Sequence, residues 1–256
     1  MAIYTDQTGR TITLDTAPQR IVSLVPSLTE LLYVLGLERE VVGITKFCVH
    51  PEEWLAKKEI VGGTKKLHLE RIAALRPDLV VANLEENTKE DVEWLMARMP
   101  VWVSDVRDLG SATEMIRMLG EATDRKEKAL TLADTIDYLL QEPPARSRQK
   151  ALYLIWRKPW MAAGTDSYIH HVMHWAGYDN VLTAEQGRYP TLSDEEIKAL
   201  HPDTVLLSSE PYPFNFGHHV ELRALLPQSQ IDMVDGELFS WYGPKMIEMV
   251  GVFTAQ

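Results

Sequence analysis

Residues 70–81, ERIAALRPDLVV, recur without a gap 125 positions later as residues 195–206, EEIKALHPDTVL. Glu70 matches Glu195, Ile72 matches Ile197, Leu75 matches Leu200, Pro77 matches Pro202, Asp78 matches Asp203 and Val80 matches Val205. In each copy two apolar residues three apart mark one face of a short helix. The Pro-Asp pair then stops it, because the residue before a proline is driven out of the helical region. The apolar run that follows suits a parallel strand covered on both faces. A repeated helix–strand unit predicts two similarly built lobes, and the groove two lobes make is the default place for a ligand.

The rest of the chain alternates in the same way. Residues 20–25 (RIVSLV) and 41–45 predict strands, and Ser27 with Glu30 has the spacing of a capping box that opens a helix closed by Gly36. A helix over 88–99 and a strand over 101–103 complete a first α/β lobe, residues 1–110. Residues 111–141 contain no proline and only Gly120, again open with box spacing at Ser111 and Glu114, and carry apolar residues at helical intervals. One helix of that length spans roughly 45 Å, suited to bridging lobes, so 111–142 reads as a bridging backbone helix. Pro143-Pro144 ends it. A second α/β lobe, residues 143–256, restarts with a strand at 151–156, a helix over 167–176, the repeat, a strand over 231–234 and a terminal helix over 244–253.

Composition narrows the function classes. With 256 residues, 45% hydrophobic and 25% charged, the chain has the balance of a globular protein. A net charge of −11 argues against a nucleic-acid partner, which calls for a basic face. The single cysteine, Cys48, excludes an internal disulfide and a zinc cluster built on cysteines. No stretch reaches the roughly 18 apolar residues of a membrane span. The first fifteen residues lack the apolar core of a signal peptide, so a cytoplasmic site stays open beside an exported one. The nucleotide-binding, nucleophile-elbow and zinc-protease patterns are missing, which leaves no candidate catalytic residue.

Several segments together resemble one family. They are Pro18 to Leu24 with Pro26-Ser27 and Thr29-Glu30, Leu69 to Ile72 with Leu75 and Pro77 to Val80, and the echo from Ser193 to Val205. Their order and spacing, over nearly the whole chain, are similar to the class III substrate-binding proteins of ABC importers, the group with cobalamin- and ferric-siderophore-binding receptors. The resemblance implies an α/β fold of two Rossmann-like lobes with mainly parallel sheets, joined by one long rigid helix. It implies a monomer in the periplasm or on the cell surface that hands a metal chelate, such as a corrin, a ferric siderophore or haem, to a permease. The chelate would be cargo, with no cofactor and no catalysis. One glutamate at the tip of each lobe would dock on the permease. By position these are Glu70 and Glu195, with Glu196 adjacent to the second.

Ligands of doubly wound folds lie past the carboxyl ends of the strands. Those ends supply the ligand-binding candidates Pro26, Ser27, Phe47, His50 and Glu86, then Trp156, Arg157, Trp160, Arg188, Tyr189, Tyr212 and Phe214, and finally Trp241 and Tyr242. Large rings give contact area at small entropic cost, and arginines grip carboxylates in bidentate fashion. That chemistry suits a flat, partly apolar, partly anionic molecule. His50 is the candidate axial ligand to a corrin or haem metal. His170 and His174 share a helix face at a metal-ligand spacing, yet a helix packed on a sheet makes them structural. The rival readings are a free-metal receptor using His50, Glu85, Glu86 and Glu210, and a cytoplasmic α/β enzyme or sensor on the same fold.

Overall fold

A computed structural model describes residues 1–255. The chain divides into two compact units. Unit 1 comprises residues 1–106, 110–137 and 242–244, and unit 2 comprises residues 107–109 and 138–241 with the segment from Lys245 onward.

Unit 1 is built on a five-stranded sheet whose order is Glu59–Ile60, Val41–Ile44, Ile21–Ser23, Leu79–Asn83 and Val101–Ser104. All its pairings are parallel. Leu79–Asn83 is buried along its whole length, as a strand covered on both faces must be. Unit 2 holds a six-stranded sheet in the order Thr191–Leu192, Trp160–Ala162, Gln149–Trp156, Thr204–Ser208 and Gln230–Val234, with Tyr178–Asn180 also paired to Gln149–Trp156. Its pairings are parallel except at Trp160–Ala162, an antiparallel strand that the alternating pattern did not announce.

The repeat is structural. Its helices are Leu69–Ala74 and Asp194–Ala199, and its strands are Leu79–Asn83 and Thr204–Ser208. Ile72 and Ile197 are both fully buried. Arg76 and His201, at matching positions, both turn the chain in the left-handed region, with φ of 47° and 46°. The following aspartates do the same work. Asp78 accepts from the backbone N–H of Arg20 at 2.8 Å, and Asp203 from that of Lys150 at 2.9 Å. Each carboxylate therefore pins the start of the strand its own strand pairs with.

Three expectations are corrected. Residues 111–141 form two helices, Leu109–Ala122 and Lys126–Leu139, where one was expected over 111–142. Arg125 N–H bonds Gly120 O at 2.7 Å and Asp124 N–H bonds Glu121 O at 3.3 Å, the paired bonds that close a helix C-terminus. Asp124 takes the left-handed position at φ 57° that glycine more often fills. The helices then fold back on each other, with residues 110–137 in unit 1. Gly120 lies against Ala129, and Arg117 bonds Asp134 and Asp137 at 2.7 and 2.6 Å. The Ser27/Glu30 and Ser111/Glu114 spacings are not capping boxes. The first helix runs Pro26–Val34 with proline in its first turn, so Ser27 lies inside it, as Ser111 lies inside Leu109–Ala122. No helix among the described residues is long and apolar enough to cross a membrane.

Candidate functional site

In unit 1 the candidate residues gather at the carboxyl ends of the parallel strands. Pro26 and Ser27 are buried at the start of the first helix. The Tyr242 hydroxyl is buried close to the side chains of Ser27 and Ser104. Burial, and then the charge of Glu86, push its ionisation far above the ordinary range. Glu86 is held at the mouth of a turn laced by asparagines. Asn83 Oδ1 accepts from the N–H groups of Glu85 and Glu86 at 2.8 and 3.0 Å, and Asn87 Oδ1 accepts from Asn83 N–H at 2.9 Å. These short amides fix the turn by bonding their own backbone. Phe47 is 49% exposed on the loop after Val41–Ile44, with Lys46 Nζ 4.9 Å from its ring centroid. A Cβ on Gly63 would meet the Phe47 ring at 2.9 Å, so glycine admits that ring. His50 is half-buried further along the same loop. Cys48 between them is structural. Thr29 and Thr45 bond its sulfur at 3.0 and 3.2 Å, and burial pushes the thiol up to about 11.

Unit 2 holds the larger group. Trp156, at the end of Gln149–Trp156, is 40% exposed and meets Tyr212 edge-on at 5.2 Å. Tyr212 meets Phe214 at 4.9 Å, and Phe214 stacks on Trp160 at 6.3 Å. The Arg157 guanidinium sits 4.0 Å over the Trp160 ring and is forked onto Glu221. Trp160 Nε1 donates to Asp194 at 2.8 Å. Within this group Trp160 and Phe214 are buried, while Trp156 and half-buried Tyr212 reach the surface. Arg188 and Tyr189 lie together on the loop before Thr191–Leu192, with the guanidinium 6.0 Å from the Tyr189 ring. Tyr189 is 36% exposed.

Trp241 stands apart from that group. It is 5% exposed, and its Nε1 donates to Glu210 at 2.8 Å. The same Glu210 oxygen accepts from Ser240 Oγ at 2.6 Å. Burial raises the Glu210 carboxyl, and the two hydrogen bonds oppose the rise.

The histidines of the helix Tyr168–Trp175 pack against one another. His170 lies 5.2 and 6.5 Å from the rings of His171 and His174, and burial followed by those neighbours lowers its pKa. His174 contacts Arg148 at 2.7 Å. Among the described residues no three His, Cys, Asp or Glu side chains are placed to hold a metal ion, which the free-metal reading requires.

Glu70 is exposed in the first turn of Leu69–Ala74, and Glu195 is exposed in the first turn of Asp194–Ala199. Glu196 is engaged in a true capping box. Its carboxylate accepts from Ser193 N–H and Oγ at 2.7 and 2.8 Å, and these bonds lower its pKa. Sequence reasoning missed the helix Phe216–Leu225, which brings Glu221 to Arg157 and His218 to Tyr212. The signal was present as Asn215 followed three residues later by His218, a capping spacing with histidine in the place of the usual glutamate.

Comparison with known proteins gives the family and the fold. The sequence matches the periplasmic binding protein family over residues 21–222. It is 28% identical over 200 residues to the vitamin B12-binding protein of Salmonella choleraesuis, covering 76% of this chain and 74% of that one. The fold is that of the periplasmic vitamin B12 binding protein BtuF of Vibrio cholerae, with a TM-score of 0.80 at 19% identity over 93% of this chain and 96% of that one. It is also that of the periplasmic heme-binding protein RhuT from Roseiflexus, with a TM-score of 0.76 at 22% identity over 93% and 98%. The chain belongs to the periplasmic binding protein family and is a substrate-binding protein of the ABC-importer class, a binder of cargo rather than an enzyme.

Proposed function

We propose that the chain binds a metal-chelate nutrient, a corrin first and a haem or ferric siderophore next, and delivers it to a permease. The observation that carries this reading is the aromatic group of unit 2. Trp156 and Tyr212 present ring surface beside buried Phe214 and Trp160, and Tyr189 is 36% exposed on the loop before Thr191–Leu192. Exposed rings held by packed rings are pre-organised for a flat apolar face. In unit 1, Phe47, His50 and Glu86 supply an exposed ring and two polar groups at the equivalent strand ends. The B12-binding relative supports placing a corrin first.

The buried candidates act as framework. Pro26, Ser27, Trp160, Phe214, Trp241 and Tyr242 support the exposed residues, and Arg157 is occupied by Glu221. Arg188 lies beside Tyr189 to meet an anionic edge of the ligand. Glu70 and Glu195 dock on the permease, one from each unit, while Glu196 is spent on its own helix. The protein acts in the periplasm or at the cell surface.

The test is a titration of intrinsic tryptophan fluorescence with cyanocobalamin, hemin and a ferric catecholate siderophore. Saturable quenching by one of them with unit stoichiometry is expected. Silence with all three contradicts the ligand class.

A further inference from the structure

The aromatic group of unit 2 has a hydrogen-bond polarity as well as a shape. The backbone N–H of Asn215 points at Nδ1 of His218 at 3.1 Å. A backbone amide can only donate, so Nδ1 carries a lone pair and no proton. In the neutral ring the proton then sits on Nε2. Nε2 lies 3.1 Å from the Tyr212 hydroxyl oxygen, so the imidazole donates and the phenol oxygen accepts. The phenolic proton has no place on that contact. Among the described residues no other protein atom bonds the Tyr212 hydroxyl, and the ring is half-buried beside the exposed Trp156. Its proton is therefore left for an acceptor other than His218. Arg157, the nearby cation, is forked onto Glu221 and stacked on Trp160, so it is not free to read an acceptor there.

We infer that Tyr212 donates a hydrogen bond to an acceptor on the ligand's edge, a carboxylate or an amide carbonyl, and that His218 is the positioning residue that makes it a donor. This rests on the chelate-binding reading above and deepens it. It assigns the group that discriminates ligands by their edge, whereas the rings accept any flat face. A site whose donor is left unpaired discriminates more sharply than an apolar wall does.

Two substitutions at His218 separate polarity from structure. In His218→Gln the amide oxygen accepts from Asn215 N–H and the amide nitrogen still donates to Tyr212, so both roles survive. In His218→Glu the carboxylate keeps the cap, but it has no proton to give and turns the Tyr212 hydroxyl inward. With the chelate that quenches the wild type, among cyanocobalamin, hemin and the ferric catecholate, His218→Gln is expected to bind within about twofold of wild type. His218→Glu and Tyr212→Phe are each expected to bind about tenfold more weakly, the worth of one good hydrogen bond. In the Tyr212→Phe background the Gln and Glu variants should bind within about twofold of each other. Nitrogen-edited NMR of the free protein should find the His218 proton on Nε2.

Equal affinity of His218→Gln and His218→Glu overturns the inference while leaving the chelate reading intact. So does a Gln–Glu difference that persists without the hydroxyl, or a proton on Nδ1. A phenolate-to-iron charge-transfer band with hemin that vanishes in Tyr212→Phe also overturns it, because a phenolate has no proton to donate. Silence of every chelate on the wild type sinks the chelate reading itself, with His218 still protonated on Nε2.

Discussion

Replacing Trp241 by phenylalanine separates a framework role from a ligand-contact role. The indole is 5% exposed and donates at 2.8 Å to Glu210 Oε1, which also accepts from Ser240 at 2.6 Å. Phenylalanine keeps most of the ring and removes that donor. A hydrogen bond to a charged group is worth about 1.5–3 kcal/mol, and the smaller ring adds about 1 kcal/mol of lost packing. The variant should therefore lose about 3 kcal/mol of stability at a pH where Glu210 is ionised, a drop of roughly 6–12 °C in melting temperature for a chain of this size. The pH dependence has a definite sign. Glu210 is raised above its ordinary 4.5 by burial, and the indole bond favours its charged form. Removing the bond raises the carboxyl further. The extra cost is full where Glu210 is ionised in the fold, and it shrinks as pH falls through the raised value toward 4.5, where the carboxyl takes up its proton. Urea unfolding across that range measures the effect. In a Glu210→Gln background the Trp241→Phe cost should fall to about 1.5–2.5 kcal/mol, because the bond is then between neutral groups and only the packing loss is unchanged. A cost below about 0.5 kcal/mol, or one independent of both pH and Glu210, refutes the reasoning.

Three other outcomes follow from single contacts. Glu195→Ala should leave melting temperature and ligand affinity unchanged and reduce permease-stimulated ATP hydrolysis, whereas Glu196→Ala should lower the melting temperature and spare stimulation; the reverse pattern assigns docking to Glu196. Gly120→Ala should destabilise by about 1–3 kcal/mol in thermal unfolding, although alanine normally gains about 1 kcal/mol over glycine in a helix, because the new Cβ would lie 2.0 Å from that of Ala129. Cys48, with its thiol pushed up to about 11, should resist alkylation by iodoacetamide at about pH 8 in the folded protein and react once urea unfolds it; rapid labelling of the native state contradicts its burial.

The fold was legible where side chains repeat a physical task. Ile72 and Ile197, Asp78 and Asp203, and the matching prolines all do the same work in both units, and the spacing of 125 announced it. The break at Asp124 was not legible, because aspartate replaces the glycine that usually marks a left-handed helix end, and apolar spacing continues through it. The serine–glutamate spacings misled for a related reason. A capping box is distinguished by where the first helical residue falls, and Pro26 and Leu109 begin their helices upstream of the serines. Of the candidate site, sequence brought the aromatics to the strand ends and could not say which face outward. That division depends on partners distant in sequence, such as Asp194 for Trp160, Glu221 for Arg157 and Glu210 for Trp241. Glu195 and Glu196 are adjacent in sequence, and only the bond to Ser193 separates them.

The most direct test of the account is a calorimetric titration of wild type and Trp156→Ala with the chelate that quenches wild-type fluorescence. Trp156 is 40% exposed beside Tyr212, so truncating it should spare the fold and weaken binding by about 2 kcal/mol, roughly thirtyfold. Unchanged affinity in a variant that melts like wild type contradicts the claim that the exposed rings of unit 2 hold the cargo.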